Sequence, residues 1–168
     1  MITRCGWCNN EKIYQDYHDH EWGEPMYDDQ QLFELFILET LQAGLSWITV
    51  LRKRDAYRIA LDNFDAQKIA QYDHDKYETL LNHPELSKNK LKVKAIIHNA
   101  QCYLKLQEEH GSFSNWLWKY VDNTPILNHY ETLADVPAQT ELSDRISKDL
   151  KKKGFKFVGS VTLYAFMQ

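Results

Sequence analysis

No apolar run in this sequence approaches the roughly 18 residues that a membrane-crossing helix requires. The opening MITRCGWCNN is polar from its start, so nothing there reads as a secretory leader. A cytoplasmic protein that makes no use of a membrane is expected. Cysteine is scarce, at Cys5, Cys8 and Cys102 only, which excludes the disulfide framework of a small secreted domain. The absence of internal repeats excludes a solenoid. No convincing pair of strands appears, and Pro25, Pro84, Pro125 and Pro137 all fall between helical patterns. The expected class is all-α.

What is present suits one domain, or two small helical lobes sharing a core, across residues 1–168. Hydrophobic residues make up 43% and charged residues 26%, an ordinary soluble balance. The net charge of −4 hides an asymmetry. From Met1 to Thr40, nine acids face only Arg4 and Lys12, whereas from Arg145 to Gln168 six bases face Asp149 alone. A second basic run is Lys88, Lys90, Lys92 and Lys94. Such clusters fit a small anionic footprint or, more blandly, solvated helix faces.

The chain is organised around Leu32 to Leu51, LFELFILETLQAGLSWITVL. Its first half is apolar on every side, the pattern of a helix buried all round. Glu39 and Gln42 nevertheless sit within it, three apart and so on neighbouring positions of one helix face. A carboxylate there is costly unless something hydrogen-bonds it. Gly44 is expected to break the helix before Leu45, Ser46 and Trp47. A buried acid beside a glycine break and a tryptophan suits a pocket wall, and a kinked core helix is the plainer alternative.

Before this stretch, Asp28 or Asp29 is the expected N-cap. After it, Ile48 to Ala60 reads as a helix with Arg52, Lys53 and Arg54 on its exposed side. Asp65 and Asp73 should cap two short helices reaching Ala70 and about Leu81. Ser87 should cap a long helix with Leu91, Ala95, Ile96, Ala100, Tyr103 and Leu104 inward, ended by Gly111. Ser112 should cap the next helix, and Asn123 to Pro137 reads as a loop. Leu142 to Lys153 is an amphipathic helix stopped by Gly154.

From about residue 150 to 168 the pattern is helix, tight turn from Gly154 to Gly159, and a second helix starting near Ser160. It resembles the helix-hairpin-helix element of DNA repair enzymes. There the glycines allow amide groups to approach a phosphate at a helix N-terminus, with Lys153 and Lys156 supplying charge. At the other end, Cys5 and Cys8 match C-x-x-C, half a zinc site or a redox pair, with His18 and His20 downstream. Two histidines two apart on a helix diverge by roughly 200°, so they converge only in irregular backbone.

Several motifs together resemble the bacterial 3-methyladenine DNA glycosylase I family. They are Arg4-Cys5-Gly6-Trp7, Tyr17-His18-Asp19 with Glu21-Trp22-Gly23, Leu32-Phe33-Glu34, Glu39, Gln42 through Leu51, and Lys156-Phe157-Val158-Gly159. The resemblance spans nearly the whole chain. It implies a helix-hairpin-helix glycosylase of two helical lobes with a base pocket between them. Such an enzyme, a monomer, flips an alkylated base from double-stranded DNA and releases free 3-methyladenine.

By position, Glu39 matches the acid that holds the base and is the candidate catalytic residue. Tyr17 and Trp47 match residues that hydrogen-bond and stack on it, while Trp7, Tyr14 and Trp22 fall around the pocket. Gly44 and Leu45 match the loop that fills the gap in the duplex, and Lys88 to Lys94 aligns with a basic segment. The hairpin candidates for DNA are Lys153, Gly154, Lys156 and Gly159. The resemblance also implies a structural zinc on Cys5 and His18, completed by a further His and Cys that are absent from these residues. Cys8 or His20 could substitute. The rival readings are a non-catalytic helix-hairpin-helix DNA-binding module and a zinc- or thiol-based regulatory protein.

Overall fold

The computed structural model describes residues 1–168 and contains nine α-helices and no strand. In chain order they are α1 (Lys12–His20), α2 (Asp29–Leu41), α3 (Trp47–Ala60), α4 (Ala66–Ala70), α5 (His74–Leu81), α6 (Lys90–His110), α7 (Phe113–Trp118), α8 (Glu141–Lys152) and α9 (Ser160–Met167). No helix is long and apolar enough to cross a membrane.

Local chemistry accounts for most of the boundaries. Asp28 caps α2 by accepting from the Gln31 amide at 2.9 Å. Asp65 and Asp73 cap α4 and α5, and Ser112 caps α7. Gly111, at φ +85°, ends α6 in the left-handed region that favours glycine. Thr140 and Ser143 form a reciprocal capping box at the start of α8. Asn123 to Pro137 is irregular apart from one 3-10 turn at Leu133–Asp135.

Three expectations are corrected. The cap of α6 is Asn89, whose Oδ1 accepts from Lys92 N at 3.1 Å, while Ser87 only turns the chain into it by accepting from the Asn89 amide. Leu91 is 70% exposed. The expected Ala95, Ile96, Ala100 and Tyr103 are buried, and Lys92, Asn99 and Leu106 complete the inward face. Arg54 is not on an open face: it is held between Glu21 at 2.8 Å and Glu34 at 3.2 Å.

Thirty buried residues form one continuous apolar cluster. The centre is α2, whose Phe33, Ile37 and Leu38 are fully buried. Phe36 meets Phe113 of α7, Phe155 of the terminal hairpin and Phe166 of α9, with ring centroids 5.5–5.7 Å apart. One helix therefore carries Glu39 and also seats the hairpin. Burying a side chain of this size contributes roughly 1.5–3 kcal/mol, so α2 is fixed from several directions at once.

Candidate active site

Glu39 lies in the last turn of α2 and is 5% exposed. Its Oε2 is buried without any hydrogen-bond partner, and so is the Trp47 indole Nε1. Burial pushes the Glu39 carboxyl up to about 8. Unpartnered buried polar atoms are few in folded proteins and call for an explanation. Two of the three in this molecule belong to the pocket candidates.

Tyr17, on α1, joins them. Its ring lies 5.5 Å from Trp47. Burial first, then the nearby charges of Glu39 and Glu21, push its hydroxyl well above the usual phenol range. Tyr17 therefore keeps its proton and is available as a donor. The aromatic wall continues from Tyr17 to Trp7 at 6.3 Å, and from Trp7 to Tyr14 at 5.1 Å and Trp22 at 5.3 Å. All five aromatic candidates form one contiguous cluster.

Between Glu39 and Trp47 the chain makes a tight turn. Leu45 N donates to Gln42 O at 2.6 Å, and Gly44 takes φ +78°. Leu45 stands 42% exposed at this turn. Lys92 Nζ donates to Leu41 O at 3.0 Å and also to Ala43 O. Lys88 donates to Leu81 O and His83 O. Two lysines of the basic run thus hold backbone carbonyls.

The terminal hairpin is clamped from α6. Fully buried Asn99 donates to Lys156 O at 3.0 Å and accepts from Lys156 N at 2.8 Å, and the His98 ring bonds Gly154 O at 2.7 Å. Gly154 takes φ +93°, which strains any other residue, while a Cβ there would stand at ordinary contact distance, 3.4 Å, from Cys102 Sγ. Gly159 differs: its φ is −60°, and a Cβ would meet nothing within 4 Å. The Lys156 side chain is exposed. Lys153 reaches Glu109 at 3.4 Å and His110 at 3.3 Å. Lys148, Lys151 and Lys152, with Asp144, Ser147 and Ser160, line a depression of about 540 Å³ against α8 and the start of α9.

Of the residues expected at zinc, the structure brings Cys5 and His18 together and gathers no third ligand beside them. Cys5 and His18 are adjacent, but the His18 Nε2 lone pair takes the Cys5 amide at 3.2 Å. The other ring nitrogen faces Asp19 at 3.0 Å, which places the proton there. Arg4 and His18 hold Asp19 down at about 2. No three His, Cys, Asp or Glu side chains gather as a metal-holding group. Neither Cys8 nor His20 gathers with them into a three-ligand group, and His20, two residues from His18 on α1, is exposed.

The family described as methyladenine glycosylase matches residues 7–168. The chain belongs to that family. A DNA-3-methyladenine glycosylase of Haemophilus influenzae is 46% identical over 168 residues, covering 100% of this chain and 91% of that protein. DNA-3-methyladenine glycosylase 1 of Escherichia coli K12 is 43% identical over 99% of this chain and 89% of its own length. Among solved structures, a crystal structure of 3-methyladenine DNA glycosylase I superposes with a TM-score of 0.96 at 42% identity, covering 99% of this chain and 91% of that one. A variant of 3-methyladenine DNA glycosylase I in complex with 3-methyladenine gives 0.95 at 39% identity, covering 99% and 89%. The shared family agrees with the all-helical fold.

Sequence reading missed Arg54, Lys92 and Asn99. Arg54 lies seven residues, two turns, beyond Trp47 and so on its face of α3. Lys92 and Asn99 are the two polar members of an otherwise apolar buried stripe. Both patterns are visible in the sequence, although the partners are not.

Proposed function

We propose that this chain is a monofunctional DNA-3-methyladenine glycosylase. It flips the methylated base out of double-stranded DNA and hydrolyses its N-glycosidic bond. The observation that carries this reading is the unpartnered Glu39 carboxyl beside Tyr17 and Trp47, in a member of the methyladenine glycosylase family.

The chemistry follows from the charge of the lesion. Methylation at N3 leaves the purine cationic while attached to the sugar, and so already a good leaving group. The Trp47 face attracts that cation, a contact worth about 0.5–2 kcal/mol. Glu39 accepts from the exocyclic amine and opposes the positive charge. Because its carboxyl stands near 8 in the free protein, the arriving cation pulls it down and a proton leaves. The Tyr17 hydroxyl supplies a donor to the ring. Flipping costs a few kcal/mol and costs least at a weakened pair. Water then bonds the sugar carbon as the carbon–nitrogen bond breaks; the base departs neutral with the bonding electrons, and the water's surplus proton passes to solvent.

Phosphates meet the start of α9. Gly159 has neither a backbone nor a packing reason to be glycine, which leaves close approach by an outside group. The test is incubation with duplex DNA treated with dimethyl sulfate, followed by chromatography of the released bases. Free 3-methyladenine is expected. DNA binding with no released base would support the non-catalytic module instead.

A further inference from the structure

We propose that Lys92 is a positioning residue for the Gly44–Leu45 turn, setting the angle at which Leu45 enters the duplex rather than contacting DNA itself. Lys92 is 7% exposed and has no carboxylate partner. Buried charges are ordinarily paired with an opposite charge. This one is held by the carbonyls of Leu41 and Ala43, the residues on either side of Gln42.

That position has two consequences. The C-terminal end of α2 carries partial negative charge and has no basic residue of its own in its last turn. Lys92 supplies the cation from α6. Its bond to Ala43 O also lies outside the helix, at the first residue of an exposed turn whose apolar tip is Leu45. Apolar wedges of this kind unstack base steps only when aimed between them. Residues 43–46 are all exposed, so a tether from the long, well-packed α6 gives the turn a direction. Glu39 lies two residues before Leu41 on the same helix, but burial is what shifts its carboxyl, with no contribution from Lys92.

The inference rests on Gly44–Leu45 being the wedge of a glycosylase, and the experiment separates the two ideas. The parent protein, Lys92→Met, Lys92→Arg and Leu45→Ala are titrated with a duplex carrying a tetrahydrofuran abasic site at several salt concentrations. Each is also titrated with free 3-methyladenine by tryptophan fluorescence. Lys92→Met should bind the duplex about tenfold more weakly, bind the free base within about twofold of the parent, and keep the parent's salt slope. Lys92→Arg, which keeps charge and donors, should recover most of the loss. Lys92→Gln replaces the Met variant, with the same expectations, if circular dichroism finds the latter unfolded.

A salt slope lower by about one would make Lys92 a phosphate contact and overturn the proposal. An equal loss of free-base affinity would make it a general support of the pocket and would overturn the proposal too, as would parent-like duplex affinity. If Leu45→Ala keeps the parent's duplex affinity, the wedge reading itself fails and the inference falls with it.

Discussion

Glu39 enters the interior with Oε2 unpartnered, and that choice at one residue has a thermodynamic signature. Its carboxyl rises from an ordinary 4.5 to about 8 on folding. Between those values the folded state binds more protons than the unfolded chain. Stability is therefore fully present below about 4.5 and falls as pH rises through about 8. Glu39→Gln removes the titration. The variant should be more stable than the parent at pH 8, by roughly 1–3 kcal/mol. The difference should shrink towards zero near pH 4.5. Urea unfolding of both proteins at several pH values checks this, and a constant difference would mean that Glu39 finds a partner in solution. A function that needs a bare carboxylate is bought with stability.

At the scale of the element, the start of α9 makes a similar distinction. Gly159→Ala should leave the thermal midpoint near the parent's, because the added methyl meets nothing and φ is already ordinary. It should also weaken duplex binding about tenfold, since a methyl group would keep phosphate from the amides. Melting curves and duplex titrations on the same preparation check both halves. Equal and parent-like results in both would place the phosphate elsewhere. Elements of this kind were largely legible in the sequence. Asp28, Asp65, Asp73 and Ser112 cap helices with amides two or three residues away, and such chemistry is local. The five pocket aromatics and Glu39 were legible through family resemblance, and the fold brings them together. What was not legible was the choice of distant partners. Arg54 turned inward because Glu21 and Glu34 converge on it from the end of α1 and from α2, and Lys153 meets Glu109 and His110 of α6. Ser87 and Asn89 both suit a cap, and only the path of the backbone selected Asn89.

Across the whole molecule, the uneven charge of the sequence resolves into two different uses. The acids of the first forty residues are largely consumed internally, with Arg4 on Asp19, Arg52 on Glu11, and Arg54 and Arg58 on Glu34. The lysines of α8 are left lining an open depression beside the hairpin. A molecule of net charge −4 can thus present a local basic surface to DNA while a buried acid waits for a cation. The central claim is that this acid works by binding the base through a charge-assisted hydrogen bond and not by activating water. The most direct test is the single-turnover excision rate of Glu39→Gln on methylated duplex, set beside its affinity for free 3-methyladenine. Loss of a charge-assisted bond predicts that excision and base affinity fall together, by about one to two decades. A fall in excision of about two to four decades with base affinity unchanged would contradict the account and make Glu39 the base that activates water.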